Sequence, residues 1–403
     1  MTSTLVEHFF RHEYGRLVAQ LARRVGLRHL ELVEDAVQGA LAAALDTWGG
    51  HGTPHEPSAW LFRVAHNNVI SALRQDANRS RILDANPGVD VSAESAARLA
   101  SEVHDDLLRM LFACCRDVIP EESRIVIALK TLCGFSTDEI AHRLFTTEAS
   151  VHKRLQRARI ALRDLGELEP THDEMSAMLP SVHHVVYLVF NEGYLSLRAD
   201  AAIRTELTDE AIRLATLLAE HPLGARPETF ALLALMHLHA ARSSSRTDAS
   251  GGLLLLEEQD RSQWRPDQIE RGLTWLARSA DGATFSRYHA EAGIAAEHSI
   301  APSFAETNWS AIVELYRLLD RVAPSPLNAL NRAVAVAEWR GAEVALAELD
   351  AIAPPRWLEQ SYLRDAVYAD LLRRTGRPFS EHRVRAIAGA PTEVIRAVLQ
   401  RRL

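Results

Sequence analysis

The chain contains 403 residues, 47% of them hydrophobic and 24% charged, and its formal net charge is −8. These values are typical of a soluble protein with about two to four domains. No run of about 18 apolar residues is present, so we do not expect a transmembrane helix. Charged residues and histidines fill the N-terminal stretch where a signal peptide needs an apolar core, and we therefore expect a cytoplasmic protein.

The three cysteines, Cys114, Cys115 and Cys133, cannot all pair with one another. Adjacent cysteines rarely bridge, and this usage fits a reducing compartment, so we expect buried thiols. A zinc site that combines them with His104 or His142 is the less favoured alternative, because no Cys-x-x-Cys spacing supports it.

The stretch from Val6 to Trp48 predicts two helices separated by Gly26. The second helix, ELVEDAVQGALAAALDTW, has an apolar face and an opposite stripe that contains Asp35 and Gln38. That stripe is either a solvated face or a docking surface. Residues that break helices then predict a loop over 49–58.

A third helix, AWLFRVAHNNVISALRQ, follows from Ala59. One side of it combines an aromatic ring, an amide and arginines. The members of this stripe are Trp60, Arg63, Asn67, Ser71 and Arg74. Stacking rings and cations suit unpaired DNA, and the alternative is a half-buried tryptophan beside solvated arginines.

The stretch from Phe135 to Arg163 has the pattern of a helix-turn-helix. Ser136 and Glu139 have the spacing of a capping box at the start of its first helix. In the second helix the apolar residues recur at helical spacing, and Ser150, Lys153 and Arg157 fall opposite them with Arg154 beside them. From Arg143 to Arg163 there are six basic residues and one acid.

This concentration of positive charge in an acidic chain predicts DNA binding, because lysine and arginine neutralise phosphates and a helix fits the major groove. An ordinary solvated amphipathic helix is the alternative.

Beyond Arg163 the chain predicts helices joined by short turns with proline or glycine, and strand-like alternation is nearly absent. We therefore expect an all-α fold. The segment ALNRAVAVAEWRGAEVALAELDAI resembles a repeat unit of tetratricopeptide type.

Three segments in fixed order resemble regions 2 and 4 of extracytoplasmic-function sigma factors: EDAVQGAL, AWLFRVAHNNVISALR, and FSTDEIAHRLFTTEASVHKRLQRARIALR. Four later segments resemble the group of these proteins that has a C-terminal tetratricopeptide-like domain: FNEGY, LLALMHLHAAR, LLLLEEQDRSQW and PLNALNRAVAVAE. The resemblance spans nearly the whole chain and implies promoter recognition on behalf of RNA polymerase.

The resemblance also implies a role for each stripe. Asp35 and Gln38 correspond to the helix that docks on core RNA polymerase. Residues implied at the −10 element of promoter DNA are Trp60, Arg63, Asn67 and Arg74. Residues implied at the −35 element are Glu148, Ser150, Lys153, Arg154 and Arg157. The implied segments are a region 2 bundle (1–78), a linker (79–102), a region 4 helix-turn-helix (103–166), a linker (167–180), a helical extension (181–283) and tetratricopeptide-like repeats (284–403).

The sequence contains no GxSxG, HExxH or glycine-rich phosphate-loop motif, so we expect neither an enzyme nor a cofactor. Two histidine-containing groups, His8 with His12 and the stretch from Tyr288 to His298, favour structural roles over metal binding or hydrolysis. Three hypotheses stay open. The first is a sigma factor whose C-terminal domain contacts polymerase, regulates promoter access or senses a ligand in its concave face, and control through an intramolecular contact is the most economical form. The second is a DNA-binding regulator that does not engage polymerase, and the third is an enzyme fused to a DNA-binding module.

Overall fold

The computed structural model describes residues 3–81, 100–144, 146–164, 172–194, 205–248 and 251–403. The chain divides into two compact units, Met1–Val189 and Phe190–Leu403. Regular structure in the described residues is helical apart from one isolated bridge between Thr247 and Leu253. The prediction of an all-α fold is confirmed.

The described residues of the first unit form eight α-helices, the last of which continues into the second unit. They are α1 (Ser3–Val25), α2 (Leu30–His51), α3 (Pro57–Arg81), α4 (Ala100–Cys114), α5 (Glu121–Thr131), α6 (Thr137–Arg143), α7 (Glu148–Asp164) and α8 (His172–Tyr194). The apolar stripes expected from the sequence supply much of its core. Leu17, Val33, Leu61 and Val151 are among the fully buried side chains.

The helix-turn-helix is formed by α6 and α7. Ser136 caps α6 by accepting the Glu139 N–H, and the Glu139 carboxylate accepts the Ser136 N–H at 2.7 Å, so the predicted capping box is present. In α7 the expected apolar stripe is buried, and it consists of Val151, Leu155, Ala158 and Leu162. This packing fixes which face of α7 points outward.

Helices extend further than the sequence predicts at three connections. The expected loop 49–58 is shortened, because α2 continues to His51 and α3 begins at Pro57. Gly52, with φ of 81°, ends α2 in a conformation that glycine adopts without strain. The expected linker 79–102 is helical at both ends, and its central residues 82–99 lie outside the described part of the chain.

The expected linker 167–180 is corrected from His172 onward, where α8 begins. Asp173 and Glu174 favour the positive end of this helix dipole. Met178, Leu179 and Val182 supply buried apolar contacts around Pro180. Burial therefore maintains the helix through a residue that removes one backbone hydrogen bond.

Within the first unit, the helix-turn-helix end and the N-terminal helices are closely packed. Helix α1 packs on α4 and α5. A Cβ atom added at Gly15 in α1 would lie 2.1 Å from the carbonyl oxygen of Leu132. Only glycine therefore allows the two backbones to approach this closely.

The second unit contains eleven further helices among its described residues. They are α9 (Thr205–Glu220), α10 (Pro227–Ala240), α11 (Pro266–Ser279), α12 (Arg287–Ile300), α13 (Trp309–Val322), α14 (Pro326–Arg340), α15 (Ala342–Asp350), α16 (Arg356–Glu359), α17 (Tyr362–Arg374), α18 (Ser380–Ala388) and α19 (Glu393–Arg402). Helix α10 is buried on nearly all sides, and α9, α11 and α12 pack around it.

From α12 onward, helices close in sequence pack on one another, α12 on α13, α13 on α14 and α14 on α15. Such nearest-neighbour packing is what a helical repeat array requires, and assignment of the repeat type stays a prediction. Helices α16 and α17 are separate, because Ser361 accepts the Leu363 N–H and starts α17. None of the described helices is both long and apolar enough to span a bilayer.

Candidate nucleic-acid interface

Helix α7 presents basic side chains on the face opposite its buried stripe. Lys153 and Arg157 are exposed, and Arg154 and Ser150 are half-buried. The Thr147 hydroxyl accepts the Ser150 N–H at 3.2 Å, which satisfies a free donor in the first turn of the helix. The structure thus brings the four residues together on one helix face.

Two of these arginines have an acidic partner within the helix-turn-helix region. The Glu122 carboxylate at the start of α5 lies 3.5 Å from Arg154 and 3.3 Å from Arg157. Glu148, also expected at the DNA, accepts a hydrogen bond from the Thr137 hydroxyl at 2.7 Å. Because Glu122 is exposed, these ion pairs are weak and a DNA phosphate can replace the carboxylate.

The second basic stripe lies on α3. Arg63, Asn67 and Arg74 are exposed as the sequence predicts. Trp60 is half-buried instead of exposed, since its ring packs edge-on against Trp48 with 5.5 Å between centroids. The burial of Trp60 is thus that of the structural alternative, and its contact with the −10 element stays a prediction.

The expected docking stripe lies on α2, where Asp35 and Gln38 are both exposed. Beside them Glu34 is almost completely buried, with 1% of its surface exposed. A buried carboxylate needs hydrogen-bonding partners, and those of Glu34 come from the helix-turn-helix end of the unit.

Glu34 and Arg159 form an ion pair between α2 and α7 that the sequence analysis missed. Glu34 accepts hydrogen bonds from an Arg159 guanidinium nitrogen and from the Thr131 hydroxyl, the latter at 2.7 Å. A second guanidinium nitrogen of Arg159 donates to Glu31 at 2.9 Å. Burial is the largest single influence and disfavours the charged form of Arg159, but the charge and hydrogen bond of Glu34, together with Glu31, raise the pKa of Arg159. We call Glu31, Glu34, Thr131 and Arg159 the clasp.

Other side chains surround the clasp. The ring of Tyr14 on α1 is 3% exposed and lies over Gly134, just before α6. Burial and then the Glu34 carboxylate raise the pKa of Tyr14 well above its ordinary value. Arg23 on α1 donates to Asp106 on α4 at 2.7 Å. The packed contact between the N-terminal helices and the helix-turn-helix end is therefore polar at its centre.

The clasp is hard to predict from a single sequence, because Glu34 and Arg159 are 125 residues apart. Arg159 lies on the flank of α7, outside the stripe assigned to DNA. Glu31 and Glu34, spaced by three residues on α2, are the available hint that one helix face needs a basic partner.

The expected buried thiols are confirmed. Cys114, Cys115 and Cys133 are completely buried. Burial raises the pKa of Cys115 to about 12, with Arg124 acting in the opposite direction. Burial also raises the pKa of Cys114 well above its ordinary value, so these two thiols are protonated and poorly reactive at neutral pH.

Two histidines of the second unit, His237 and His289, serve as packing and hydrogen-bonding groups. The His289 ring contacts the Ser286 N–H at 3.1 Å and the Ser279 carbonyl at 3.3 Å, and His237 lies 2.7 Å from the Gln268 amide oxygen. No group of three potential metal ligands occurs among the side chains that the structure describes. The side chains of His8 and His12 lie outside the described residues.

Three families match successive parts of the chain. Sigma-70 region 2 matches residues 10–79, and Sigma-70 region 4 matches residues 109–162. A family of unknown function, DUF6596, matches residues 178–280. The first two matches cover α2, α3 and the helix-turn-helix, and the third begins within α8.

Two relatives described as sigma factors each match about a third of the chain. The extracytoplasmic-function (ECF) RNA polymerase sigma factor SigL of Mycobacterium tuberculosis is 33% identical over 138 residues, which are 33% of this chain and 76% of SigL. A probable RNA polymerase sigma factor of Haemophilus influenzae is 24% identical over 148 residues, 33% of this chain and 76% of that protein.

A longer relative is an uncharacterized protein of Rhizobium meliloti, 36% identical over 334 residues, or 80% of this chain and 78% of that protein. No solved structure is significantly similar to the chain. With both sigma regions present in order and the basic face of α7 outward, the chain belongs to the ECF sigma factors, RNA polymerase subunits that direct transcription initiation.

Proposed function

We propose that the three stripes of the first unit carry the separate tasks of a sigma factor. Asp35 and Gln38 on α2 dock on core RNA polymerase, and the α3 stripe with Arg63, Asn67 and Arg74 meets the −10 element. Trp60 contributes through its exposed edge. Helix α7 enters the major groove at the −35 element with Glu148, Ser150, Lys153, Arg154 and Arg157. The exposure and charge of these side chains support this division.

We further propose that the clasp keeps the free protein closed. A closed unit of 189 residues has a radius of gyration of about 16 Å. The names of the −10 and −35 elements give their positions in the promoter, which are about 25 base pairs apart. At roughly 3.4 Å per base pair, this is about 85 Å along B-DNA. One compact unit cannot reach both elements, so α7 must leave α2 when promoter DNA is bound.

The Glu34–Arg159 ion pair is the observation that carries this proposal. It connects the helix with the polymerase stripe to the helix with the −35 stripe. Opening it exposes a buried carboxylate and a guanidinium to water, where both are well solvated. The ion pair therefore holds α2 and α7 in one specific arrangement and still permits the two helices to separate reversibly.

We propose that residues 181–403 regulate this opening as a tetratricopeptide-like array, in which residues 284–403 supply the repeats. The succession of packed helices from α12 to α15 supports an array of this kind. Such a domain acts by binding, and the proposal assigns it no catalysis. The expected intramolecular contact with the sigma regions is part of this proposal.

Fluorescence energy transfer between α2 and α7 tests the closure. Asp46→Cys on α2 and Gln156→Cys on α7 provide exposed thiols for two dyes. The three native thiols are buried and should not be labelled. We expect efficient transfer in the free protein and a large loss when core polymerase and promoter DNA are added. Transfer that is already low in the free protein, or high in the promoter complex, would exclude the closed-to-open change.

A further inference from the structure

Five basic side chains gather in the second unit beside the rings of Tyr194 and Trp264. We call them the basic cluster: His239, Arg242, Arg246, Arg261 and His298. The guanidinium carbons of Arg246 and Arg242 lie 3.8 Å and 5.7 Å from the centroid of the Tyr194 ring. The guanidinium carbon of Arg261 lies 4.5 Å from the ring of Trp264.

The members of the basic cluster are close enough to repel one another. The His239 ring lies 4.5 Å from that of Tyr194, and its Nδ1 is 3.4 Å from an Arg242 nitrogen. Burial and then Arg242 lower the pKa of both His298 and Arg261. Arg246 is 8% exposed and donates to the Tyr194 carbonyl oxygen. The cluster thus holds three buried or half-buried guanidinium groups in one positive field.

Within the described residues, no carboxylate lies at ion-pair distance from Arg242, Arg246 or Arg261. Acids on adjoining segments have other partners. Asp248 accepts the Gly252 N–H at 2.8 Å, Glu257 pairs with Arg402 at 3.0 Å, and Glu258 pairs with Arg401 at 2.8 Å. Residues 195–204 and 249–250, outside the described part, contain two arginines and one acid, so they add no net negative charge.

The polar atoms around the basic cluster are also incompletely satisfied. Five buried atoms have no hydrogen-bond partner among the described residues: Tyr194 Oη, Ser243 Oγ, Arg261 Nη2, Trp264 Nε1 and His298 Nδ1. Buried polar atoms are nearly always paired in folded proteins. Unpaired donors together with unbalanced positive charge indicate that a group with negative oxygens belongs at this position.

We propose that the basic cluster is a binding site for the phosphoryl group of a small molecule. Three guanidinium groups match a phosphate monoester, which carries a charge of about −1.5 to −2 at neutral pH and three acceptor oxygens. His298 also lines a cavity of about 240 Å³ with Trp309 and Tyr316. That cavity has room for an organic part attached to the phosphate. The site does not depend on the closure proposed for the first unit.

Binding of inorganic phosphate to the full chain tests the site. Equilibrium dialysis with labelled phosphate, at ionic strength held constant with chloride, should show one saturable site per chain. Arg242→Gln should weaken it at least tenfold, because a charge-assisted hydrogen bond is lost, and Arg242→Lys should weaken it less. Two controls should bind phosphate like the wild type: Arg271→Gln, an exposed arginine of α11, and Arg157→Gln, on the DNA-facing stripe of α7.

Circular dichroism verifies that each variant is folded. Three results would overturn the proposal: no saturable phosphate binding by the wild type at millimolar concentrations, binding lost with Arg157→Gln but kept with Arg242→Gln, or equal binding of acetate. The last result would replace the phosphoryl group with a carboxylate as the chemistry recognised by the basic cluster.

Discussion

Arginine serves two opposite purposes in the two units. On α7, Arg154 and Arg157 share the Glu122 carboxylate, and Arg159 binds Glu31 and Glu34. In the basic cluster, arginines lie against aromatic rings and carbonyl oxygens and have no carboxylate partner among the described residues. Arg154 and Arg157 can exchange their carboxylate partner for a DNA phosphate, which suits reversible DNA binding. Arginines buried without a counter-charge indicate a permanent place for an anion.

The largest effect should follow from breaking the Glu34–Arg159 ion pair, whose carboxylate is 1% exposed. Arg159→Met leaves Glu34 buried without a charged partner, which costs about 3–5 kcal/mol in proteins where such pairs have been broken. We expect amide hydrogen exchange in α2 and α7 to accelerate by about 100-fold or more, since roughly 1.4 kcal/mol corresponds to a factor of ten. Exchange measured by mass spectrometry gives the result for each helix.

The control for this change is Arg163→Met, an exposed arginine on the same helix whose partner Asp164 is also exposed. It should change exchange little. The double change Glu34→Gln with Arg159→Met removes both charges and should restore most of the protection. If Arg159→Met behaves like Arg163→Met, the clasp does not hold α2 and α7 together.

The basic cluster should make the second unit sensitive to acid. Burial, then Arg242 and Arg261, lower the pKa of His298 from its ordinary value of 6.5 to about 3. Below pH 6.5 the unfolded chain takes up a proton that the folded chain excludes, so folding stability falls as pH decreases toward 3. The slope is about 1.4 kcal/mol per pH unit. Stability is unaffected by this group above pH 6.5.

Hydrogen exchange in α12 between pH 7 and pH 4, corrected for the intrinsic rate, measures this loss. His298→Gln should flatten the profile, and saturating phosphate should reduce the slope, because a bound anion favours protonated His298. A wild-type profile as flat as that of His298→Gln would contradict the proposed cause.

DNA binding should distinguish the exposed cations of α7 from their neighbours. Lys153→Ala and Arg157→Ala should each weaken binding to duplex DNA and reduce the slope of log affinity against log salt by about one. Arg163→Ala, on the same helix but outside the stripe, serves as the control. Titrations at several salt concentrations give both quantities, and unchanged slopes would show that the stripe does not meet phosphate.

The smallest effect is expected from freeing the paired arginines. Glu122→Gln removes the acid that Arg154 and Arg157 share, and we expect DNA affinity to rise by a few-fold, since exposed pairs contribute about 1 kcal/mol or less. Glu121→Gln is the matched control, because that carboxylate lies 3.2 Å from His184 instead. Equal affinities for the two variants would indicate that Glu122 does not compete with phosphate.

Local patterns made the helices and the outward face of α7 predictable. The capping box at Ser136 and the apolar spacing in α7 are short-range signals that directly reflect hydrogen bonding and burial. The clasp and the basic cluster were not predictable, because Glu34 and Arg159, or Tyr194 and Arg246, meet only when distant segments pack. The same limit explains Trp60, whose partner Trp48 lies on the preceding helix.

Promoter-dependent initiation with purified core RNA polymerase tests the central claim most directly. The full chain is compared with Arg159→Met, which breaks the clasp, and with Asp35→Ala/Gln38→Ala, which lacks the polymerase stripe. We predict more initiation than wild type from the first variant at limiting protein concentration, and little from the second. If the first variant binds polymerase normally but initiates no better than wild type, the clasp is not what restrains this sigma factor.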